Sequence, residues 1–495
     1  MDRRPPEISR RQVLAGAAAA AALAGCASPA RRDTVRAENA RPGTTDWILS
    51  KTRTDASKIR CPWIEAFCSR TSVRAGETLE IKASTNPPSR FRIDVYRTGF
   101  YGGKGGRQVA SLGPFQGSVQ PDAKPGRDRV RDCVWETSAK LVIPADWPSG
   151  VYLGKLTEER EGLQSYVVFV VRDDRPCDFL FQVSDTTWAA YNRWPDLWSL
   201  YDDGTPPHNW YTGPGVAVSF DRPYGKYRQI LDAPLSTGSG EWLLWEFNLA
   251  FWMEEQGYDV SYISNLDTHA DPAGLRRAKA FISQAHDEYW SLDMYRNAKA
   301  AIDAGLHAAF LSGNAVDGVV DVRPSALGPH RSIARVGKFG GSHPREYKIP
   351  WTQHGPDPAL LMGARTTHPA NGSASWTCVK PDHWLFEGTG MKAGDAVPHL
   401  VGWEHHGPPL SIPGIEILAR GPVLGGGKPK GVDYTATMYR SPGGSHVFNA
   451  ATIWWSLALS HPPGYLPCKA HGGEPIAVDP RVRRMTKNLL ARFRD

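Results

Sequence analysis

The sequence predicts an α/β fold, with a doubly wound, mostly parallel sheet preceded by an antiparallel β-sandwich domain. Between about residues 46 and 175, segments such as "SVRAGETLEIKAST" and "RFRIDVYRTGF" alternate apolar and polar residues between turn signals, as sandwich strands do. From residue 176 onward, strand patterns alternate with helix patterns, which indicates a parallel sheet. The chain of 495 residues is long enough for both domains. We therefore predict a sandwich over 46–175 and an α/β domain over 176–495.

Residues 1–26 have the pattern of an export signal. Arg10 and Arg11 form a twin-arginine pair ahead of an apolar run over residues 13–25, which is too short to span a bilayer. The run ends in "LAGC", which resembles a lipobox with Cys26 as the lipidated residue. We predict export by the twin-arginine route to a periplasmic or extracytoplasmic location, with membrane attachment only through a lipid anchor at Cys26.

Composition excludes several partner and site classes. Residues 27–45 are polar and contain Arg, Pro and Gly, which predicts a linker. The net charge of +7 is small for this length and no basic stripe is present, so a nucleic-acid partner is not expected. "YGGKGG" and "GGGKPKG" lack the GK[ST] ending of a phosphate-binding loop. These glycine-rich stretches are predicted to be ordinary loops.

The cysteines permit disulfides without fixing their pairing. Six follow the signal, and they are Cys61, Cys68, Cys133, Cys177, Cys378 and Cys468. An even count in an oxidising compartment is compatible with disulfides, but six cysteines allow many pairings. Cys61–Cys68 and Cys378–Cys468 are conjectures, and the absence of CxxC gives no support to a zinc or thioredoxin-type site.

In the α/β domain, the predicted strands are "CDFLFQVS", "YDVSYIS", "KAFISQA" and "LHAAFLSG", with helices "GEWLLWEFNLAFWMEEQG" and "SLDMYRNAKAAIDAG" between them. Ser291 has the position of an N-cap for the second helix, and Gly305 lies just past its end. Residues 323–440 predict a β-rich insertion with long loops. A closing hairpin and a terminal helix, "DPRVRRMTKNLLARFRD", follow.

Three predicted strands end in unusual polar residues. The first runs into "SDTTWAAYNRWPDLWSLYDDG", the third into "HDEYW" and the fourth into "GNAVDG". Because ligands of open parallel sheets bind beyond the carboxyl ends of the strands, Tyr191, Tyr201, His286, Glu288 and Asn314 are expected to converge. The alternative is a solvated turn with "YW" packed as a lid over the next helix.

Common catalytic motifs do not explain these strand ends. No G-x-S-x-G is present. Glutamine-amidotransferase-like folds place a cysteine at the strand-to-helix turn, where this chain has Asp287, Glu288 and Tyr289. His286-x-Glu288 lacks the P-C-x-x-C half of the zinc-deaminase signature. The remaining carboxylate, phenol and imidazole donors suit a hard cation such as ferric iron.

These residues also carry a resemblance. "TTWAAYN", "SLYDDG", "HDEYWS", "LSGNAV", "LVGWEHHG" and "GGSHVFNA" resemble the catalytic domain of the large (beta) subunit of N,N-dimethylformamidase, over about residues 176–495. The resemblance implies a glutamine-amidotransferase-like fold and one Fe(III) per chain, held by two tyrosinates and a glutamate. It also implies hydrolysis of a small amide without a serine or cysteine nucleophile, and a homo-oligomer or a small partner subunit.

Carried over residue by residue, the resemblance assigns the metal ligands to Tyr191, Tyr201 and Glu288. It assigns catalytic roles to His286, Asn314 and Glu404, with Glu404 transferring protons. Three other tyrosines compete for the two tyrosine positions, and they are Tyr211, Tyr224 and Tyr289.

Two functions follow from the sequence. The first is a metal-dependent amide hydrolase that resembles N,N-dimethylformamidase. The alternative is a cell-surface binding or structural lipoprotein with a degenerate enzyme-like domain. The sequence does not identify the substrate.

Overall fold

The computed structural model describes residues 34–340, 353–367, 370–465 and 475–495. The predicted signal over 1–26 lies outside these residues. Within the predicted linker, residues 34–39 form helix α1 (Thr34–Asn39), in which Val35 and Glu38 are buried. This part of the predicted linker therefore packs against the fold. Among the described helices, none combines the length and apolar character needed to cross a membrane.

The first eight strands form two sheets. In chain order they are β1 (Glu65–Cys68), β2 (Ser72–Val73), β3 (Thr78–Ser84), β4 (Arg90–Thr98), β5 (Gly106–Gln116), β6 (Ala139–Val142), β7 (Gly150–Glu158) and β8 (Gln164–Val171). One sheet has the order β1-β3-β6 and the other β2-β8-β7-β4-β5. All these pairs are antiparallel except β2 with β8.

Strand β8 of the five-stranded sheet is buried on both faces. Val167 and Phe169 pack into a core shared with the three-stranded sheet. The alternate residues Tyr166 and Val168 pack into the main core of the α/β region. A strand covered on both faces has no solvent side, which explains why "SYVVFVV" is almost continuously apolar.

Eighteen further strands follow in chain order. They are β9 (Cys177–Val183), β10 (Ala217–Ser219), β11 (Val260–Ser264), β12 (Ala278–Ala285), β13 (Tyr289–Trp290), β14 (His307–Ser312), β15 (Gly318–Ser325), β16 (Gly328–Phe339), β17 (Gln353–Gly355), β18 (Ala364–Thr366), β19 (Ala370–Thr377), β20 (Ala396–Trp403), β21 (His406–Pro409), β22 (Glu416–Gly421), β23 (Leu424–Gly425), β24 (Lys428–Pro429), β25 (Tyr434–Arg440) and β26 (His446–Asn449). The remaining α-helices are α2 (Asp185–Tyr191), α3 (Phe247–Glu255), α4 (Asn265–Ala270), α5 (Leu292–Asp303), α6 (Ala359–Met362) and α7 (Pro480–Arg494).

The α/β class is confirmed, but the central sheet is mixed. Its order is β11-β9-β12-β14-β26-β25-β22. The first five strands are parallel, whereas β25 and β22 are antiparallel to their neighbours. The predicted closing hairpin is confirmed as β25 and β26, but the prediction of a doubly wound, mostly parallel sheet did not place this hairpin at an antiparallel edge. The separate small sheets contain β10, β13, β15–β21, β23 and β24. A short loop joins β25 to β26, and such a hairpin forces antiparallel pairing.

Local signals predicted some elements better than others. Helix α5 begins after Ser291, whose hydroxyl accepts a hydrogen bond from the Met294 amide at 3.1 Å, as the N-cap pattern predicted. Helices α2 and α4 were not predicted, because each is short and follows a strand directly.

Cys61 and Cys68 are both free, so the conjectured disulfide between them is wrong. The Cys378–Cys468 conjecture involves Cys468, which lies outside the described residues.

A buried ion pair joins the N-terminal sheets to the α/β region. Arg97 on β4 donates two hydrogen bonds to Glu254 on α3, at 2.8 and 2.9 Å, and both side chains are fully buried. Glu254 also accepts hydrogen bonds from Asn39, at the end of α1, and from Tyr262 on β11. This carboxylate on α3 therefore connects its own helix to the neighbouring strand β11 and to α1 and β4, which are distant in sequence.

We expect Arg97→Met to lower the free energy of unfolding by roughly 3–5 kcal/mol, because it leaves the Glu254 charge buried and unpaired. The double variant Arg97→Met/Glu254→Leu should recover most of this loss. Arg90→Met, on the same strand with 57% of its side chain exposed, is the matched control and should change stability by less than about 0.5 kcal/mol. Urea unfolding measures all three. A double variant less stable than Arg97→Met would contradict the role of the unpaired charge.

Candidate metal centre

The candidate site lies where three adjacent parallel strands end. Strands β9, β12 and β14 are neighbours in the central sheet. Strand β9 leads into α2, which carries Tyr191; β12 leads into His286 and Glu288; and β14 leads to Asn314. Because these strands are parallel, their carboxyl ends share one sheet edge, as predicted.

The end of β12 is conformationally unusual. Ala285 has a φ of 52°, in the left-handed region that costs free energy for a residue with a Cβ atom. The next acidic residue, Asp287, is fully buried and accepts hydrogen bonds from Gln182 at 2.8 Å, Ser283 at 2.6 Å and Asn265 at 2.9 Å. These bonds anchor Asp287 and thereby stabilise the strained turn that carries His286 and Glu288.

Tyr191, Tyr201 and Glu288 converge. The Tyr191 hydroxyl lies 2.5 Å from Oε2 of Glu288, and the Tyr201 hydroxyl lies 3.0 Å from Oε1. The two hydroxyl oxygens are 2.6 Å apart. Three oxygen donors predicted from distant parts of the chain are therefore mutually in contact.

The competing tyrosines are placed differently. Tyr289 donates to the Tyr201 hydroxyl at 2.6 Å and accepts from the Arg335 guanidinium at 2.7 Å, so it lies one step away from Glu288. The Tyr211 hydroxyl donates to the carbonyl oxygen of Pro214. The Tyr224 hydroxyl makes no hydrogen bond to any described residue. Tyr191 and Tyr201 are thus the two tyrosines whose hydroxyls contact Glu288 in the described part of the chain.

His286 lies among three carboxylates. Its Nδ1 is 2.6 Å from Oε2 of Glu241, and its Nε2 is 3.4 Å from Glu288 and 3.7 Å from Glu404. Asn314 donates its amide to Glu404 at 2.6 Å. The structure therefore brings together all six residues that the sequence and the resemblance assigned to the site.

Close backbone contact holds Glu404 in this group. It follows β20 immediately after Trp403, which has a φ of 57°. A Cβ atom on Gly313 would lie 2.3 Å from the Glu404 carbonyl oxygen, so glycine allows the Asn314 loop to approach. This close contact between the two backbone segments places the side-chain amide of Asn314 beside the Glu404 carboxylate.

Electrostatics separates the roles of the carboxylates. Burial, followed by the charge of Glu288, raises the pKa of Glu404 well above its usual value. Burial also opposes ionisation of Glu288, but hydrogen bonding and charge from His286 outweigh it and lower its pKa. For His286, burial lowers the pKa, but the charge and hydrogen bond of Glu241, together with Glu288 and Glu404, outweigh burial and raise the pKa well above its usual value. The cluster thus has an ionised Glu288 beside a protonated Glu404.

Both phenols are neutral in this arrangement. Burial, followed by the charge of Glu288, raises the pKa of Tyr191 and of Tyr201 well above the usual value for a phenol. A multiply charged cation between their oxygens would reverse this preference and make the phenolates stable.

The site is buried and is not a solvated turn. His286 and Asp287 are fully buried, and Glu288 is 6% exposed. The interpretation of "HDEYW" as a solvated turn is therefore wrong, whereas Trp290 does pack in one core with Met294 and Tyr295 of helix α5.

Sequence reasoning missed two residues of the cluster, Glu241 and Arg335. Glu241 precedes a π-helical turn, Trp242–Glu246, within a segment predicted only as an amphipathic helix. Arg335 lies on β16, inside the β-rich insertion. Neither position carries a local signal, because each contributes to the site only through tertiary packing.

The donors fit a hard cation. Two phenol oxygens and one carboxylate are the ligand types that ferric iron prefers, and here they lie within 3.0 Å of one another. In the described residues, no group of three His, Cys, Asp or Glu side chains is arranged to hold a metal ion. A metal centre in this part of the chain therefore depends on the tyrosines.

A family model described as "N,N-dimethylformamidase beta subunit-like, C-terminal" matches residues 92–469. The chain belongs to this family. The match confirms the resemblance inferred from the sequence motifs. It begins within the N-terminal sheets, well before residue 176, so the relationship extends further toward the N-terminus than expected.

The family supports the amide-hydrolase interpretation at the level of a dimethylformamidase-like protein. Its description as a beta subunit is compatible with a partner subunit or an oligomer. In the comparison with curated proteins, none matched the chain.

A second buried acid supports the helix that carries Tyr191. Asp185 begins α2, and its carboxylate accepts a hydrogen bond from the backbone amide of Asn265 at 2.7 Å. Burial, followed by the charge of Asp267, raises the pKa of Asp185 to about 7. The folded protein therefore favours protonated Asp185, which stabilises the fold at low pH and loses this advantage as pH rises from about 4 toward 7.

We expect Asp185→Asn to remove this pH dependence, because asparagine keeps the acceptor oxygen but cannot ionise. Between pH 5 and pH 8 the parent should lose on the order of 2–4 kcal/mol more stability than the variant. Asp293→Asn, at an acidic side chain that is 56% exposed, is the control and should follow the parent. Urea unfolding at both pH values provides the comparison. Parallel pH profiles for the parent and Asp185→Asn would refute the assignment.

Proposed function

We propose that this protein is a ferric-iron-dependent hydrolase of small amides, with one Fe(III) per chain held by Tyr191, Tyr201 and Glu288. The observation that supports it most strongly is the contact of Tyr191 with Glu288, across 97 residues of sequence. Family membership supports the amide as the substrate class. When bound, the ferric ion would supply Lewis acidity, polarising an amide carbonyl and lowering the pKa of water.

The residues around the proposed metal ligands have two roles, which are orientation of the reactants and proton transfer. Asn314 Oδ1 makes no hydrogen bond with any described residue, and His286 Nε2 lies between Glu288 and Glu404, so both atoms are placed to orient the water and the amide. Glu404 lies 3.7 Å from His286 Nε2 and is held by Asn314. A cation bound at the site would offset the charge of Glu288 and favour ionised Glu404. The ionised carboxylate is then placed to accept a proton from water and to deliver it to the amine nitrogen.

The overall reaction consumes one water molecule. Its oxygen forms the new C–O bond, the C–N bond breaks, and one water proton ends on the leaving amine. Burial of the cluster excludes bulk water, which strengthens the electrostatic contribution of each of these groups.

We also propose that the protein acts outside the cytoplasm as a lipoprotein, exported by the twin-arginine route. The support is the Arg10–Arg11 pair and the "LAGC" sequence ending at Cys26. A small partner subunit or a homo-oligomer is part of the same proposal, because the family is described as a beta subunit.

We expect Glu288→Ala to lose iron and amide hydrolysis together, because the site then lacks one of three anionic ligands. Glu404→Gln should keep the iron and the broad visible absorption of tyrosinate-to-iron charge transfer, while turnover falls about 100-fold or more. Glu416→Ala, at a carboxylate paired with Lys380 away from the cluster, is the control for both. Metal analysis, a visible spectrum and amine release are measured on each protein.

Two outcomes of that experiment would count against the proposal. Equal iron loss in Glu288→Ala and Glu404→Gln would overturn the division of roles. A folded parent that stays colourless and iron-free with ferric iron supplied would refute the metal centre and favour the binding lipoprotein.

We expect Cys26→Ser to move the protein from the membrane fraction to the soluble fraction, because serine cannot receive the thioether-linked lipid. Cys61→Ser, at a buried thiol within the fold, is the control and should stay membrane-bound. Fractionation followed by immunoblotting measures the distribution. Membrane retention of Cys26→Ser equal to that of the parent would show that the anchor lies elsewhere.

A further inference from the structure

A cavity lined by both aromatic and charged side chains adjoins the candidate metal centre. Its volume is about 140 Å³, and Tyr191 and Glu241 contribute to its wall. Trp210, which also lines it, is 56% exposed and stacks on Tyr201 at 3.9 Å between ring centroids. The cavity therefore extends from two residues of the cluster to the protein surface, as an entrance for substrate must.

The wall of this cavity carries an excess of cations. Arg193, Lys226 and Arg228 all line it. Lys226 forms an ion pair with Asp232 at 2.6 Å. In contrast, neither the Arg193 nor the Arg228 guanidinium forms a hydrogen bond or a contact ion pair with any residue that the structure describes. Two guanidinium groups are thus available to a ligand.

The acidic wall residue does not neutralise these cations. The Glu241 carboxylate is already engaged, accepting hydrogen bonds from His286 at 2.6 Å and from Trp245 at 2.9 Å. Arg193 is partly buried, and burial outweighs the charge of nearby Asp196 and lowers its pKa, so an anionic ligand would stabilise its charged form. Guanidinium groups bind carboxylates through paired, charge-assisted hydrogen bonds.

We propose that the substrate is a small amide that carries a carboxylate, which Arg193 and Arg228 bind in this cavity. The aromatic ring of Trp188, also in the wall, covers the apolar part between the carboxylate and the amide. The amide then lies toward Tyr191 and the cluster. This inference rests on the proposed function for the reaction, but the anion site itself is a property of the cavity.

The test compares two amides of similar size. N-formylglycine carries the carboxylate, and N-(2-hydroxyethyl)formamide replaces it with a neutral hydroxyl. The iron-loaded parent should show a kcat/KM for N-formylglycine about 10- to 100-fold higher than for the neutral amide. Arg193→Gln and Arg228→Gln should each reduce this ratio about tenfold.

The control is Arg276→Gln, which removes the same charge from an exposed residue at the opposite end of β12 and lining a different cavity. It should keep the parent ratio. Equal kcat/KM values for the two amides in the parent, or an unchanged ratio in both Arg193→Gln and Arg228→Gln, would overturn the proposal.

A binding measurement separates this inference from the proposed function. If the parent hydrolyses neither amide, titration calorimetry with N-acetylglycine tests the anion site alone. Binding to the parent that weakens about tenfold in Arg193→Gln, with Arg276→Gln unchanged, upholds the carboxylate site although the hydrolase proposal fails. Absence of binding to the parent overturns the site.

Discussion

The placement of three carboxylates around one buried imidazole constrains the whole candidate site. Glu241, Glu288 and Glu404 lie 2.6, 3.4 and 3.7 Å from ring nitrogens of His286. The His286 imidazolium and the Arg335 guanidinium supply two positive charges beside three buried carboxylates, and an unbalanced buried charge is strongly unfavourable. The cluster must either keep an acid protonated, as at Glu404, or gain a cation. The same constraint explains why hard, positively charged ligands suit this end of the sheet.

Parallel topology is what made most of this site predictable. The ends of β9, β12 and β14 meet because neighbouring parallel strands point the same way, so Glu288 and Asn314 could be placed from strand and helix patterns alone. Glu404 follows a strand of a separate sheet and was found only through the family resemblance. Glu241 and Arg335 could not be found, because their segments show no pattern beyond burial.

The fold was predictable to the extent that local patterns determine it. Helix α5, with Ser291 as its N-cap, and the parallel strands have repeating apolar signals. The hairpin of β25 and β26 was predicted, but its position at the edge of the central sheet and the pairing of β25 with β22 depend on long-range contacts, which sequence periodicity does not specify. The packing of α1 likewise depends on tertiary partners, since a polar segment gives no sign that Asn39 will bind Glu254.

Backbone strain shows that the site is held by its surroundings. Ala285, Trp403 and Val316 adopt positive φ values of 52°, 57° and 58°, and each lies within two residues of His286, Glu404 or Asn314. Such conformations persist only where the surrounding structure enforces them. A centre assembled from residues more than 200 positions apart therefore forms only as the chain folds, and a cation enclosed there would be bound during or after folding. Twin-arginine export, as proposed from the N-terminal sequence, is compatible with that order because it carries proteins that are already folded.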